Sequence, residues 1–178
     1  IALEQTPLGA TVDMGHPCFE WDAIPLAYAM DTSAMPMGWA TLSAPMAVNV
    51  GNPHVVFFVE DASVIDLEGL GPIVEKDPVF PQAVNVNVAH IVGDDHVVLR
   101  VWERGAGLTR ACGTGACATA VAAILKGLVE SPVRVSLPGG ELEIEWRRGD
   151  PVRMSGPAKE AYRGEFEWDD YACAHLPN

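Results

Sequence analysis

A cysteine flanked by glycines lies in segment 103–116, whose sequence is ERGAGLTRACGTGA. The glycines let the backbone adopt unusual φ values and approach a ligand closely. A helix is predicted to begin just after Cys112, so its first N–H groups have no partners within the helix and can bind a carboxylate or phosphate. The same partial positive charge lowers the pKa of a thiol. The segment therefore predicts a reactive thiolate beside an anion-binding backbone, with Thr114 either capping the helix or binding the ligand.

The four cysteines differ in their surroundings. Cys112 could instead be a small buried hydrophobic residue, but packing in a core does not require four glycines around a thiol. Cys117 lies inside the predicted helix and is interpreted as a core residue, while Cys18 and Cys173 have no activating neighbours. No CxxC or zinc-type spacing occurs in the sequence, so no metal site is predicted, and the cysteine usage is typical of a reduced, cytoplasmic protein.

Two further groups of polar residues could contact a ligand. Asn52 and His54 lie in the sequence GNPH, where the amide could face a ligand at a strand end and the imidazole could transfer a proton. Asn-Pro turns are common and usually structural, so this motif alone is weak evidence. Asn85 interrupts an apolar strand, and a hydrogen-bonded core residue and a ligand contact explain it equally well.

A thiolate, an anion-binding backbone and neighbouring amides together suggest a small carboxylate ligand. The lysines, at positions 76, 126 and 159, lie in polar or helix-end settings, which argues against a pyridoxal phosphate Schiff base. No dinucleotide-binding fingerprint occurs in the sequence, so no cofactor is predicted. The thiol could attack a carbonyl with the help of a neighbouring base, or transfer a proton at a carbon next to a carboxylate.

Short apolar or alternating segments predict the elements that position these residues. Strands are expected at 54–59, 84–92, 97–102, 133–137 and 141–146, with hairpin turns at 93–95 and 138–140. A further strand is expected at 42–50, and one or two short helices at 62–76. The segment 115–125, GACATAVAAIL, is apolar on every side, which indicates a helix buried all round. The sequence therefore predicts an α+β fold in which a mostly antiparallel sheet wraps around a central apolar helix.

The bulk composition excludes several classes of partner. The 178 residues suit one globular domain or two small ones, and the formal net charge is −13. Only 11 lysines and arginines occur, spread along the chain, which argues against binding to nucleic acid or to an anionic membrane. No apolar run approaches the ~20 residues that a membrane span requires.

The segment 103–123, ERGAGLTRACGTGACATAVAA, resembles the C-terminal signature of the diaminopimelate epimerases. Other blocks resemble the family in the same order: VDMGHPCFEWDAIPLA, VNVGNPHVVFFVED, FPQAVNVNV, LPGGELEIEW and VRMSGPAKEAYRGEFE. One departure is Leu108, where the family often has Glu, and little effect on the chemistry is expected. The resemblance implies one half of a two-domain fold. Residues 1–156 would form the C-terminal domain, and residues 157–178 a closing strand, packed on the preceding domain, and a tail.

The resemblance also implies a reaction, the interconversion of LL- and meso-diaminopimelate without a cofactor. One cysteine thiolate removes the α-proton, and a second cysteine thiol on the opposite face returns one. Cys112 matches one of these two cysteines, and His54 and Glu103 match residues that assist proton transfer. The positions that match substrate contacts are Asn52, Asn85, Glu103 and Arg104, and those that match backbone donors to the α-carboxylate are Gly113 and Thr114.

The other catalytic cysteine of this family lies in a preceding domain, and Cys18 does not match its motif. The resemblance implies that this chain begins after that domain, so we expect it to be a C-terminal half that is inactive without the N-terminal domain. Its first residues, Ile-Ala-Leu without Met, suit a fragment. The expected partners are that domain and diaminopimelate, with a homodimer left open. Three alternatives remain: a related racemase of another small acid, a non-catalytic carboxylate-binding module, and a thiol hydrolase, for which no histidine-carboxylate arrangement is recognisable.

Overall fold

The computed structural model describes residues 3–6, 9–165 and 167 of the chain. The helices are a short 3-10 helix at Ala62–Val64, α1 (Leu67–Glu75) and α2 (Gly113–Leu125). The strands are β1 (Leu3–Thr6), β2 (Gly9–Asp13), β3 (Gly38–Trp39), β4 (Leu42–Ser43), β5 (Met46–Asn49), β6 (Pro53–Phe58), β7 (Asn85–Gly93), β8 (His96–Glu103), β9 (Gly107–Thr109), β10 (Val133–Leu137), β11 (Gly140–Glu145) and β12 (Arg153–Gly156).

Most of the strands form one ten-stranded sheet. Its order is β1-β2-β12-β11-β10-β8-β7-β6-β5, with β9 paired to β8, while β3 and β4 form a separate ribbon. Among the described strands only β6–β7 and β8–β10 pair in parallel, and the other pairs are antiparallel. The predicted α+β class is therefore confirmed, and the sheet is mostly antiparallel.

The elements that were predicted match the structure closely, with two differences, while the strands β1, β2, β3, β9 and β12 were not predicted. The strands at 84–92, 97–102 and 133–137 correspond to β7, β8 and β10, and both predicted hairpin turns are present. The strand predicted at 42–50 is two strands, because Ala44 adopts a φ of 46° directly before Pro45. Helix α2 begins at Gly113, two residues earlier than predicted, because Cys112 is its N-cap residue.

Helix α2 lies in the main hydrophobic core. All of its residues from Gly115 to Ala123 are buried, and most are alanine, so strands can approach the helix closely. It packs against β5, β6, β7, β8, β10 and β11. A second core, on the other face of the sheet, includes residues of α1. Along β6, Val56 faces the α2 core and Val55 and Phe57 face the second core, as the two-residue period of a strand requires.

The C-terminal part of the chain is described only up to a point. Residues 157–165 form no regular secondary structure, and residue 166 and residues 168–178, including Cys173, lie outside the described residues. The closing strand within 157–178 therefore stays a prediction for the two-domain protein. Within the described ranges, no helix is both long and apolar enough to cross a bilayer.

Helix α1 packs tightly against Trp102 on β8. A Cβ atom at Gly71 would lie 2.5 Å from two ring atoms of Trp102 and 2.9 Å from its Cβ. These atoms are at the base of the side chain, so they cannot move aside without a shift of the strand. Gly71 is therefore required for the contact between α1 and the end of β8, where Glu103 follows Trp102.

We predict that Gly71→Ala destabilises the protein, although alanine normally favours a helix by about 1 kcal/mol. Because the added Cβ would lie 2.5 Å from ring atoms, overpacking should cost about 2–3 kcal/mol, the upper part of the usual range. The net loss in the free energy of unfolding should then be about 1–2 kcal/mol. Urea denaturation would measure it. Gly93→Ala is the control, because its Cβ would meet nothing within 4 Å. An unchanged or higher stability of Gly71→Ala would contradict the tight packing.

Candidate active site

Cys112 lies where β-structure changes to helix, as the N-cap residue of α2. Its φ and ψ are −147° and 103°, and its carbonyl oxygen accepts a hydrogen bond from the Ala116 N–H at 3.0 Å. Its side chain makes no capping hydrogen bond, and its Sγ lies 3.6 Å from the hydroxyl oxygen of Thr114. Thr114 is the second residue of the helix, so its predicted role as a helix cap is wrong, and its hydroxyl instead contacts the thiol.

Burial decides the protonation of Cys112. Only 6% of the residue is exposed, and this burial raises the pKa of its thiol. The nearby Thr114 hydroxyl and Gly115 N–H lower that pKa, and the nearby Glu103 carboxylate raises it. The net result is a pKa above the ordinary value. The lowered pKa expected from the helix start alone is therefore wrong for this chain, because burial and Glu103 outweigh the helix.

His54 is fully buried and links three polar residues. Its Nδ1 lies 3.1 Å from Asn87 Oδ1, and its Nε2 lies 3.1 Å from both Asn52 Oδ1 and Thr114 Oγ1. The Thr114 hydroxyl thus lies between the imidazole and the Cys112 thiol. The structure places the predicted residues Asn52, His54, Thr114 and Cys112 in one connected group.

The imidazole of His54 is neutral at physiological pH. Burial lowers its pKa to about 4, against the hydrogen bond to Asn87 and the charge of Glu103, which raise the pKa. Arg104 lowers the pKa further. A neutral histidine has one N–H donor and one bare nitrogen, so its hydrogen bonds have a defined direction.

Asn85 connects two loops beside this group. Its Nδ2 donates to the carbonyl oxygen of Pro53 at 2.8 Å, and its Oδ1 accepts from the Arg104 N–H at 2.9 Å. The side chain is buried, so these bonds hold the GNPH turn against the end of β8. Of the two explanations that the sequence offered for Asn85, the structure shows the hydrogen-bonded core residue. A contact between Asn85 and substrate stays a prediction.

The segment with Glu103 and Arg104 is held by a residue that the sequence analysis missed. The buried carboxylate of Glu75, at the end of α1, accepts from Trp102 Nε1 at 2.7 Å and from the Gly105 N–H at 2.9 Å. Burial raises the pKa of Glu75, but these hydrogen bonds outweigh it, and the pKa lies below its ordinary value. The one signal in the sequence is a carboxylate at the end of a mostly apolar helix.

Of the remaining predicted residues, Gly113 adjoins Cys112 and Arg104 adjoins Glu103 in the chain. Gly113 and Thr114 form the first turn of α2, where backbone N–H groups lack intrahelical partners. Arg104 is exposed and donates through Nη1 to the carbonyl oxygen of Gln82 at 3.0 Å. In the part of the chain that the structure covers, no group of three or more His, Cys, Asp or Glu side chains is placed to hold a metal ion.

The two other cysteines that the structure describes, Cys18 and Cys117, lie outside this group. Cys117 is buried in the core, as predicted, and burial raises the pKa of its thiol to about 12. Cys18 is exposed and pairs through its backbone with Asn49. Neither thiol shares the contacts with Thr114 that distinguish Cys112.

We predict that Glu75→Ala lowers the free energy of unfolding by about 1–3 kcal/mol, because it leaves the N–H groups of Trp102 and Gly105 without their acceptor. Glu75→Gln should cost less, since the amide keeps one acceptor oxygen. Chemical denaturation would measure both. As a control, Glu143→Ala removes an exposed carboxylate and should change stability by less than about 0.5 kcal/mol. Equal stabilities of the Glu75→Ala and Glu143→Ala proteins would contradict the role of Glu75.

We also predict that alkylation of Cys112 by iodoacetamide is slow at neutral pH and accelerates only in the alkaline range. The reason is the raised pKa, and Thr114→Val should raise that pKa further because the hydroxyl stabilises the thiolate. Mass spectrometry of the Cys112 peptide across pH would measure the pKa. Thr119→Val is the control, since its hydroxyl contacts Asn87 and not the thiol. A rate that already levels off below about pH 7.5 would contradict the prediction.

Comparison with known proteins gives a consistent result. The family profile of diaminopimelate epimerase matches residues 46–160. The diaminopimelate epimerase of Erythrobacter litoralis is 60% identical over 172 residues, covering 97% of this chain and 64% of that protein. That of Rhizorhabdus wittichii is 61% identical over 157 residues, covering 88% of this chain and 57% of that protein. The chain thus spans less than two thirds of the length of these curated relatives.

One solved structure shares the fold. It is that of a predicted epimerase from Pseudomonas aeruginosa, with a TM-score of 0.53 and 18% sequence identity over 87% of this chain and 58% of that chain. At this identity the similarity concerns the fold alone. The profile match, by contrast, covers more than half of the chain and includes Cys112, His54 and the Glu103–Arg104 pair. On this evidence, the chain belongs to the diaminopimelate epimerase family.

Proposed function

We propose that this chain is the C-terminal half of an enzyme that interconverts LL- and meso-diaminopimelate by removing and returning the α-proton without a cofactor. The observation that carries the proposal is the position of Cys112. Its thiol is at the start of a buried helix, 3.6 Å from a hydroxyl that also contacts the buried His54. The membership of the family and the identity to two named epimerases support the same reaction.

In this proposal Cys112 acts as the acid on one face of the α-carbon. Its raised pKa keeps it protonated, so it can donate a proton to the carbanion. In the reverse direction the resulting thiolate takes the proton back. Glu103 and His54 surround the thiol and assist this transfer, Glu103 by favouring the thiol over the thiolate and His54 through the Thr114 hydroxyl.

The substrate carboxylates would be bound at two places. The N–H groups of Gly113 and Thr114 at the start of α2 would hold the α-carboxylate, where negative charge also develops in the transition state. The exposed guanidinium of Arg104 would bind a carboxylate through two hydrogen bonds. Asn52 and Asn85 lie beside these groups and would complete the contacts with the amino acid.

A reaction on both faces of the α-carbon requires a second thiol. Of the other cysteines that the structure describes, Cys18 is exposed and Cys117 is buried in the core, and neither contacts Thr114 as Cys112 does. We therefore propose that a preceding domain supplies it. Residues 1–156 would then be the C-terminal domain, with the sheet wrapped around α2, and residues 157–178 would include a strand that closes on the preceding domain. The free thiols suit the cytoplasm, and a homodimer is compatible with this arrangement.

We predict that the full-length protein incorporates deuterium from solvent at the α-carbon of diaminopimelate, and that residues 1–178 alone do not epimerise it. In the full-length protein, Cys112→Ser should lower kcat by at least about 100-fold, because it removes an acid-base catalyst. Cys117→Ala is the matched control and should retain activity, since that thiol lies in the core. Proton exchange monitored by NMR would measure these effects.

Several outcomes would contradict the proposal. Full epimerase activity of residues 1–178 alone would exclude the need for a second half. Activity of the full-length protein on another small amino acid, and not on diaminopimelate, would identify a different racemase. Binding of carboxylates without any isotope exchange would identify a non-catalytic binding module.

A further inference from the structure

Asn87 contacts both His54 and helix α2, and nothing in the proposed function assigns it a role. It is on β7, two residues after Asn85, and is completely buried. Its Nδ2 donates to the carbonyl oxygen of Gly115 and to the hydroxyl oxygen of Thr119, both at 2.9 Å. Its Oδ1 faces His54 Nδ1 at 3.1 Å.

The orientation of the Asn87 amide is determined by its neighbours. A backbone carbonyl oxygen is only an acceptor, so the atom that faces the Gly115 carbonyl must be the amide nitrogen. The oxygen of the amide must then face His54. Turning the amide around would place two oxygens against each other at Gly115, in a site where an unmade hydrogen bond is costly.

The orientation of Asn87 in turn determines which nitrogen of His54 carries the proton. An amide oxygen is only an acceptor, so Nδ1 must be its donor. Because burial keeps the ring neutral, Nε2 is then bare and accepts. The Thr114 hydroxyl, 3.1 Å away, can donate to it. Asn52 Oδ1 also lies 3.1 Å from Nε2, and two acceptors cannot bond each other. A half-turn of the Asn52 amide, whose oxygen and nitrogen are nearly the same size, places its N–H donor at Nε2 instead.

This direction matters for the thiol because Thr114 has only one hydroxyl proton. When that proton is donated to His54 Nε2, it is less available to the Cys112 sulfur, 3.6 Å away, so the hydroxyl stabilises a thiolate only weakly. If Nε2 carried the proton instead, it would donate to the Thr114 oxygen, and the hydroxyl proton would be free to stabilise a thiolate. The tautomer of His54 therefore decides how strongly the Thr114 hydroxyl can stabilise the Cys112 thiolate.

We propose that Asn87 is a positioning residue that holds His54 in the Nδ1–H tautomer, so that His54 Nε2 competes with the Cys112 sulfur for the hydroxyl proton of Thr114. Asn87 thereby keeps Cys112 in its proton-donating form. The charged groups nearest to the ring are Glu103 and Arg104, which act on it in opposite directions. Asn87, by contrast, is uncharged and selects the tautomer through geometry.

The tautomer can be read directly in the full-length protein labelled with 15N-histidine. Long-range 1H–15N correlation spectra distinguish a protonated from a bare ring nitrogen, and a His54→Gln spectrum assigns the signals. We expect a protonated Nδ1 and a bare Nε2 at neutral pH. A protonated Nε2 would overturn the inference. The measurement needs no substrate, so its result does not depend on whether the protein epimerises diaminopimelate. Only the catalytic meaning of the tautomer rests on the proposed function.

Variants of Asn87 test the cause. Asn87→Leu removes the acceptor, so we expect the Nε2–H form to appear and alkylation of Cys112 at neutral pH to accelerate by about threefold to tenfold, the effect of one hydrogen bond. Asn87→Asp loses the donor to the Gly115 carbonyl but keeps an acceptor that faces His54. It should therefore retain the Nδ1 proton, even if the added charge raises the pKa of the ring. Thr119→Val is the control, because the Gly115 carbonyl still orients the amide.

Two results would overturn this assignment: an unchanged tautomer in Asn87→Leu, or loss of the Nδ1 proton in Asn87→Asp. If Asn87→Leu does not fold, the spectra of the unaltered protein and of Asn87→Asp still decide the question. If Asn87 had only a structural role, both variants would lose structure and neither would select a tautomer. Retention of the Nδ1 proton in Asn87→Asp and its loss in Asn87→Leu therefore identify a positioning role.

Discussion

A polar side chain buried against a helix must find its hydrogen-bond partners there, and the site follows from this requirement. Helix α2 has small side chains, so strands pack close to its backbone. At its first turn the Gly115 carbonyl accepts from Asn87, although it is inside the core. Water cannot compensate for a missing bond there, so the helix start is fixed in position. The fixed start holds Cys112 and Thr114 against His54.

The same burial disfavours charge throughout the site. It raises the pKa of Cys112 and lowers the pKa of His54 to about 4, so both groups are neutral at physiological pH. Glu75 is the contrasting case, because two N–H donors hold its pKa below the ordinary value despite its burial. The neutral residues around Cys112 therefore affect one another through the direction of their hydrogen bonds. The carboxylate of Glu75, by contrast, is charged and holds the neighbouring Gly105 N–H.

Local patterns predicted much of the fold and the position of the thiol. The apolar segment of α2 and the strand runs depend on neighbours in sequence, and they matched the structure within a few residues. The pKa of Cys112 was predicted in the wrong direction, because its burial and the approach of Glu103 depend on distant segments. Glu75 and Asn87 were missed for the same reason, since each is recognised only by partners far away in sequence. A second asparagine two positions after Asn85 was the available signal, because both must lie on one face of a strand.

The alternation along β7 has a consequence for its pairing with β6. Asn85 and Asn87 point towards the site, while Val86 and Val88 point into the second core. In the parallel pairing with β6, His54 lies opposite Asn85. A slip of one residue would send both amides into an apolar layer and both valines towards the histidine. The register between β6 and β7 therefore serves two purposes at once, because the same slip would remove valines from the second core and amides from the surroundings of His54.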